Sequence, residues 1–86
     1  MSDLNPDVKI LFFARHREQM GIADCLLPIN GSCTLAELKQ KITQRYPQFA
    51  SLRQPVMTAV NQDFADDDQL IQYGDEVAFF PPVTGG

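Results

Sequence analysis

The chain has 86 residues, two cysteines and a formal net charge of −4. This length supports one small domain with one hydrophobic core and leaves little room for a deep internal active site. The negative charge argues against nucleic-acid binding through phosphates, and no apolar run approaches the roughly 20 residues of a membrane span. The N-terminus has no basic segment followed by an apolar one, so we expect no secretory signal and a cytoplasmic protein.

The first part of the chain predicts two strands with a short helical turn between them. Val8–Ala14 is apolar at nearly every position and rich in β-formers, which indicates a central strand buried on both faces. Arg15–Met20 predicts a helical turn that ends at Gly21. Ala23–Ile29 predicts a second strand, and Pro28 confines it to an edge of the sheet.

The best-defined helix follows the Asn30-Gly31 turn. Thr34 and Glu37 have the T-x-x-E spacing of a capping box, and Pro47 lies where the helix must end. Between them, apolar residues recur at helical spacing and predict one buried face: Leu35, Leu38 and Ile42.

The second part predicts a third strand at Val56–Asn61, a looser stretch through Leu70 and Ile71, and a last strand at Glu76–Phe80. The order strand, strand, helix, strand, strand indicates an α+β domain in which one main helix packs across a mixed sheet. The helix supplies the long crossover that parallel strands need, so the first and last strands can pair at the centre. This arrangement is a β-grasp, the ubiquitin-like architecture.

Two Phe-Phe pairs lie on the strands predicted to be central neighbours: Phe12-Phe13 and Phe79-Phe80. Alternation sends one member of each pair to each face of the sheet, and one helix covers only one face. We therefore expect the uncovered members to form an exposed aromatic surface for docking, in preference to a second buried layer.

The titratable groups do not form a recognisable catalytic or metal site. His16 has no nucleophile at a suggestive spacing and is interpreted as a surface or loop histidine. Cys25 and Cys33 are expected to be reduced, buried or half-buried thiols, with a persulfide role as the alternative. An acidic cluster lacks the spacing of a calcium loop and predicts a solvated loop that could steer a basic partner, at Asp63, Asp66, Asp67 and Asp68.

The chain ends in Pro81-Pro82-Val83-Thr84-Gly85-Gly86. The prolines stop the preceding strand and favour an extended exit, while the glycines can pass through a channel too narrow for side chains. The simple alternative is a frayed terminus without a function. The diproline, the core strand before it and the terminal Gly-Gly together favour a functional arm at residues 81–86, after a domain at residues 8–80 and an extension at residues 1–7.

Three stretches resemble the small subunits of molybdopterin synthase, a family of ubiquitin-like sulfur carriers. The first is Val8–Ala14 with Arg17-Glu18 after it, the second is Ala59–Gln62, and the third is Gly74–Gly86. The third is the most specific, and the tail shows no departure from the family's pattern. The resemblance spans residues 8–86 and is weakest between Gly21 and Met57.

The resemblance implies that the Gly86 carboxylate is activated with ATP by a ubiquitin-activating-like adenylyltransferase and receives sulfur from a sulfurtransferase. The resulting thiocarboxylate would enter the large synthase subunit and donate sulfur to cyclic pyranopterin monophosphate, forming the molybdopterin dithiolene. The family's complex is a heterotetramer. No cofactor is expected on this chain, and the catalytic acids and bases are expected on the large subunit.

The resemblance also assigns roles to individual residues. Gly86 carries the transferred atom, while Gly85, Thr84 and Val83 pass through the partner's channel. Docking is expected to involve the residues before the channel, namely Phe13, Arg17, Phe80, Pro81 and Pro82. Three alternatives remain open: a sulfur carrier for the thiamine thiazole, a ubiquitin-like protein modifier, and a plain binding module that does not need the Gly-Gly terminus.

Overall fold

A computed structural model describes residues 7–52 and 54–82. These residues form seven strands, two α-helices and a 3₁₀ helix at Pro47–Ser51. The α-helices are α1, Ala14–Met20, and α2, Leu35–Arg45. The strands are β1, Asp7–Phe12; β2, Asp24–Pro28; β3, Cys33–Thr34; β4, Met57–Val60; β5, Asp63–Phe64; β6, Leu70–Ile71; and β7, Glu76–Phe80.

Five strands form a mixed sheet in the order β2-β1-β7-β4-β5. The first and last strands are parallel neighbours at its centre, with Ile10 opposite Val77 and Phe12 opposite Phe79. β1 pairs with β2 and β7 with β4 in antiparallel fashion. The predicted β-grasp is confirmed, and β2, which contains Pro28, lies at an edge as expected.

The expectation that the first strand is buried on both faces is wrong. Val8, Ile10 and Phe12 are buried, whereas Lys9 is exposed and Leu11 is only partly covered. The reason is that α2 packs on one face of the sheet and the other face stays open. The strand also ends at Phe12, because the next residue precedes the first turn of α1.

The helix α2 begins at its predicted capping box. The Glu37 backbone N–H donates to Thr34 Oγ1 over 3.2 Å, and the Thr34 backbone N–H donates to Glu37 Oε1 over 2.8 Å. These bonds satisfy backbone donors that the first helical turn leaves free. The helix then buries Leu35, Leu38 and Ile42 against the sheet.

Three aromatic rings form the centre of the core under the sheet. Phe12 and Phe79 stack at 5.9 Å between ring centroids, and Phe49 of the 3₁₀ helix meets Phe79 edge-on at 5.0 Å. Aromatic pairs favour such stacked and edge-to-face arrangements. The central strand pair is therefore fixed on its covered face by side chains as well as by backbone hydrogen bonds.

The stretch expected to be loose contains two short strands. β5 extends the main sheet, with Ala59 opposite Phe64, and β6 pairs with β3 in a separate two-stranded sheet. Asn61 links the turn before β5 to the start of β7: its Oδ1 accepts from the Glu76 backbone N–H and its Nδ2 donates to Asp75, both over 3.0 Å. Strands of two residues leave almost no periodic pattern in a sequence.

The capping box gives a direct stability test. Thr34→Ala removes the side-chain acceptor and should lower the free energy of unfolding by about 1 kcal/mol, measured by urea denaturation. Thr34→Ser keeps the hydroxyl and should retain most of that stability. Equal losses in both variants would contradict a capping role.

Candidate functional site

The open face of the sheet carries an aromatic patch that consists of Phe13, Phe64 and Phe80. Phe13 is 46% exposed and Phe64 is 77% exposed, while Phe80 is partly covered. The rings of Phe64 and Phe80 lie 5.9 Å apart. Phe12 and Phe79, the sequence neighbours of Phe13 and Phe80, are buried on the opposite face. The predicted division of the two Phe-Phe pairs between core and surface is confirmed.

Phe64 is the member of the patch that the sequence did not reveal. The register places Met57 opposite Phe80 and Ala59 opposite Phe64, so these residues share the open face of β7, β4 and β5. The clue was Phe64 itself, an aromatic residue two positions after the Asn61-Gln62 turn. Phe64 joins the patch only because the chain reverses at this turn and forms a strand. The polar residues around Phe64 hide that strand in the sequence.

The patch lies at the base of the C-terminal tail. Phe80 is the last residue of β7, and Pro81 and Pro82 follow it, partly buried and outside regular secondary structure. The Phe13 backbone N–H donates to the Phe79 carbonyl over 3.0 Å, which brings the start of α1 to the same place. The predicted tail residues Val83, Thr84, Gly85 and Gly86 lie outside the described residues.

Helix α1 lies beside the tail base and contains two of the residues singled out from the sequence. Arg17 is exposed, so it is available for the polar contact that the family resemblance implies. His16 is fully buried, and the expectation of a surface or loop histidine is wrong. Neither ring nitrogen has a hydrogen-bond partner within normal geometry among the described residues. The helix turns this residue toward the core, whereas the charged residues on either side of it face solvent.

Burial lowers the pKa of His16 from its ordinary value, because a charged imidazolium would lose its hydration. The neighbouring Arg15 charge lowers it further, while Gln19 and the Phe80 backbone act in the opposite direction. The fold therefore favours the neutral imidazole over the imidazolium more than the unfolded chain does.

The two cysteines are free thiols, as expected. Cys33 is buried and Cys25 is partly buried. Burial is the main cause that raises the pKa of both thiols, and the Glu37 carboxylate adds to the effect at Cys33. Since the thiolate is the nucleophilic form, a raised pKa does not favour a sulfur-transfer role for either residue.

The acidic cluster is solvated, as expected, but Asp63 lies in β5 and not in the loop. Asp63, Asp66, Asp67 and Asp68 are all exposed. Asp67 forms an ion pair with Lys39 of α2 at 2.8 Å, and Asp66 Oδ1 accepts from the Asp68 backbone N–H. Within residues 7–52 and 54–82, no group of three or more histidine, cysteine, aspartate or glutamate side chains could hold a metal ion. None of the helices described is long and apolar enough to span a bilayer.

Comparison with known proteins identifies the family. Residues 10–86 match the model of the ThiS family. The chain belongs to this family. Among its relatives, the molybdopterin synthase sulfur carrier subunit of Escherichia coli (strain K12) is 38% identical over 81 residues, which cover 92% of this chain and 99% of that protein. The resemblance noted in the sequence is confirmed, and these similarities support a sulfur carrier role.

Solved structures agree with this assignment. The ThiS-family chain superimposes on a putative molybdopterin converting factor, subunit 1, from Pyrococcus furiosus with a TM-score of 0.81 and 26% identity, covering 92% of this chain and 100% of that one. It also shares its fold with a chain in a Helicobacter pylori complex of subunits 1 and 2 of molybdopterin-converting factor. That match has a TM-score of 0.67 and 23% identity, and it covers 93% of this chain and 99% of the other.

The buried imidazole predicts a specific pH dependence of stability. The folded-state pKa of His16 lies below its unfolded value, so the unfolded chain binds more protons as the pH falls through about 6.5. The free energy of unfolding should therefore decrease below that pH, at a rate of at most about 1.4 kcal/mol per pH unit from this group. Above that pH, the contribution of His16 to the free energy of unfolding should not change with pH.

Urea denaturation at a series of pH values between 4.5 and 8 provides the measurement. His16→Leu replaces the imidazole with an apolar side chain of similar size that does not titrate, and it should show a smaller loss of stability between pH 7 and pH 5 than the native chain. Glu18→Gln on the exposed side of α1 is the control and should retain the native loss. Identical pH profiles for the native chain and His16→Leu would contradict the buried-imidazole explanation.

Proposed function

We propose that this chain is the sulfur carrier and small subunit of a molybdopterin synthase. The main support is the aromatic patch at the base of a tail that ends in Gly-Gly. A carrier needs a surface that its partner can hold and an arm that reaches the partner's active site. The E. coli relative, named as a molybdopterin synthase sulfur carrier subunit, makes this the favoured pathway over thiamine synthesis or protein modification.

The proposed chemistry takes place on the carboxylate of Gly86. A carboxylate is a poor electrophile, so a ubiquitin-activating-like adenylyltransferase first joins it to AMP, using ATP and releasing pyrophosphate. A persulfide of a sulfurtransferase then attacks the acyl group and displaces AMP, and a second thiol reduces the resulting acyl disulfide to leave a C-terminal thiocarboxylate. The soft sulfur atom of the thiocarboxylate is a better nucleophile than the carboxylate oxygen that it replaces.

In the final step the thiocarboxylate sulfur attacks cyclic pyranopterin monophosphate in the large subunit. Water then cleaves the resulting thioester, which leaves sulfur on the substrate and restores the Gly86 carboxylate. The dithiolene of molybdopterin contains two sulfur atoms, so two deliveries are required. Side chains that move protons are assigned to the large subunit, and this chain contributes Gly86 as the reacting residue. Gly85, Thr84 and Val83 precede it in the sequence and are assigned to the partner's channel.

The aromatic patch is the proposed contact with the large subunit. Exposed Phe13 and Phe64 and the partly covered Phe80 provide apolar area that loses water on docking. The partly buried Pro81 and Pro82 fix the direction in which the tail leaves this surface. The H. pylori neighbour, determined as a complex of subunits 1 and 2, supports such a pairing. Assembly into a heterotetramer extends the same proposal.

The patch can be tested by binding. Phe64→Ala should weaken association with the synthase large subunit of the same organism by about tenfold to a hundredfold, since a buried aromatic side chain at an interface contributes about 1.5–3 kcal/mol. Folding stability should change little, because the side chain is 77% exposed in the free chain. Isothermal titration calorimetry measures the affinity.

Leu26→Ala is the matched control for this test. Leu26 is also an exposed apolar residue, at 53%, but it lies on the edge strand β2, opposite Lys9, and away from the tail base. Its removal should leave the affinity unchanged within twofold. Equal losses for Leu26→Ala and Phe64→Ala would contradict docking through the aromatic patch.

The carrier chemistry is tested by intact mass spectrometry. Incubation with the adenylyltransferase, ATP and a sulfur donor should raise the mass by about 16 Da, the difference between oxygen and sulfur in the acyl product. A chain that lacks Gly86 should show no increase. An unchanged mass for the native chain, with an activating enzyme that modifies its own carrier under the same conditions, would contradict the proposed function.

A further inference from the structure

A groove borders the aromatic patch on the side of β4 and β5. Its volume is about 580 Å³, which is large enough for a long side chain together with the adjoining backbone. Its lining includes Phe64 of the aromatic patch and Lys39 of α2. The residues that give it its chemical character are Lys39, Thr58, Phe64, Asp66, Asp67 and Asp68.

The groove is negatively charged. Among the described residues that line it, three carry carboxylates and Lys39 alone is basic. Lys39 Nζ forms an ion pair with Asp67 Oδ1 at 2.8 Å. The carboxylates of Asp66 and Asp68 have no basic side chain within ion-pair distance among the described residues. The groove therefore carries excess negative charge that a cationic group would neutralise.

Thr58 adds a second and independent feature. Thr58 is one of the lining residues of the groove and is only 4% exposed. Its hydroxyl oxygen is buried and has no hydrogen-bond partner among the described residues. Buried hydroxyl groups are normally hydrogen-bonded, and an unpaired one costs free energy. A donor that enters the groove would supply the missing bond.

We propose that this groove accepts an arginine side chain of the large synthase subunit when that subunit docks on the aromatic patch. The inference rests on the proposed function, because it assigns a second contact to the same partner. Phe64 belongs to both the patch and the groove, so the two surfaces adjoin and one partner can contact both. The contact fixes the partner's position at a point away from the tail.

Arginine suits the groove better than the other cations do. A guanidinium has five N–H donors in one plane, enough to bond two carboxylates and a hydroxyl together, while the smaller ammonium of lysine cannot span such a set. A bound metal is not favoured, since no suitable group of metal-binding side chains occurs among residues 7–52 and 54–82. The aliphatic part of arginine would pack along the apolar wall that includes Phe64.

The experiment compares single charge removals in the acidic cluster. Asp66→Asn and Asp68→Asn should each weaken binding to the large subunit by about tenfold, as expected for loss of a hydrogen bond to a charged group. Asp63→Asn changes the net charge equally but lies outside the groove, and it should weaken binding by less than twofold. Calorimetry at low and high salt should show that the losses shrink as salt increases.

Thr58→Val tests the hydroxyl separately. The substitution keeps the shape of the side chain and removes its oxygen, so the melting temperature should stay the same or rise. Binding should nevertheless weaken by about threefold, because the arginine loses one acceptor. A purely structural role for Thr58 would change the melting temperature and leave the affinity of the folded chain unaltered, which would overturn the hydroxyl's part in the site.

The possible outcomes separate this inference from the proposed function. If the native chain binds the large subunit and Asp66→Asn and Asp68→Asn behave like Asp63→Asn, the groove assignment is overturned and the docking proposal stands. If the native chain does not bind any synthase large subunit and gains no sulfur, the proposed function itself fails. A loss specific to the groove variants supports the arginine contact.

Discussion

The parallel pairing of β1 with β7 is the constraint on which the other features depend. Parallel neighbours cannot be joined by a tight turn, so the chain between them must cross the sheet, and α2 makes that crossing. The pairing also brings together residues that lie more than sixty positions apart in the chain. Phe12 stacks on Phe79 beneath the sheet, while Phe13 and Phe80 reach the surface one residue later. The core, the aromatic patch and the tail base therefore share one strand pair.

Local features of the sequence predicted much of this arrangement. The capping box of α2 could be recognised because both partners of its hydrogen bonds lie within four residues of one another. Alternation along β1 and β7 was enough to assign one phenylalanine of each pair to the surface. These predictions needed only the period of a strand and the presence of one covering helix.

Other features depended on contacts that no local pattern contains. His16 lies among charged residues and looks exposed, yet helix α1 packs this one side chain against the core near the tail base. Phe64 joins the patch because a two-residue strand places it beside Phe80, across a turn with positive φ at Asn61 and Gln62. In both cases the deciding contact is tertiary.

The alternation of the two Phe-Phe pairs has a consequence for quality control. Because successive strand residues point to opposite faces, a shift of one residue between β1 and β7 would send core rings to the surface and surface rings to the core. Only a chain with the correct register presents Phe13 and Phe80 beside the tail. A partner that binds this surface would therefore discriminate against misfolded chains, whose phenylalanine rings lie on the wrong faces of the sheet.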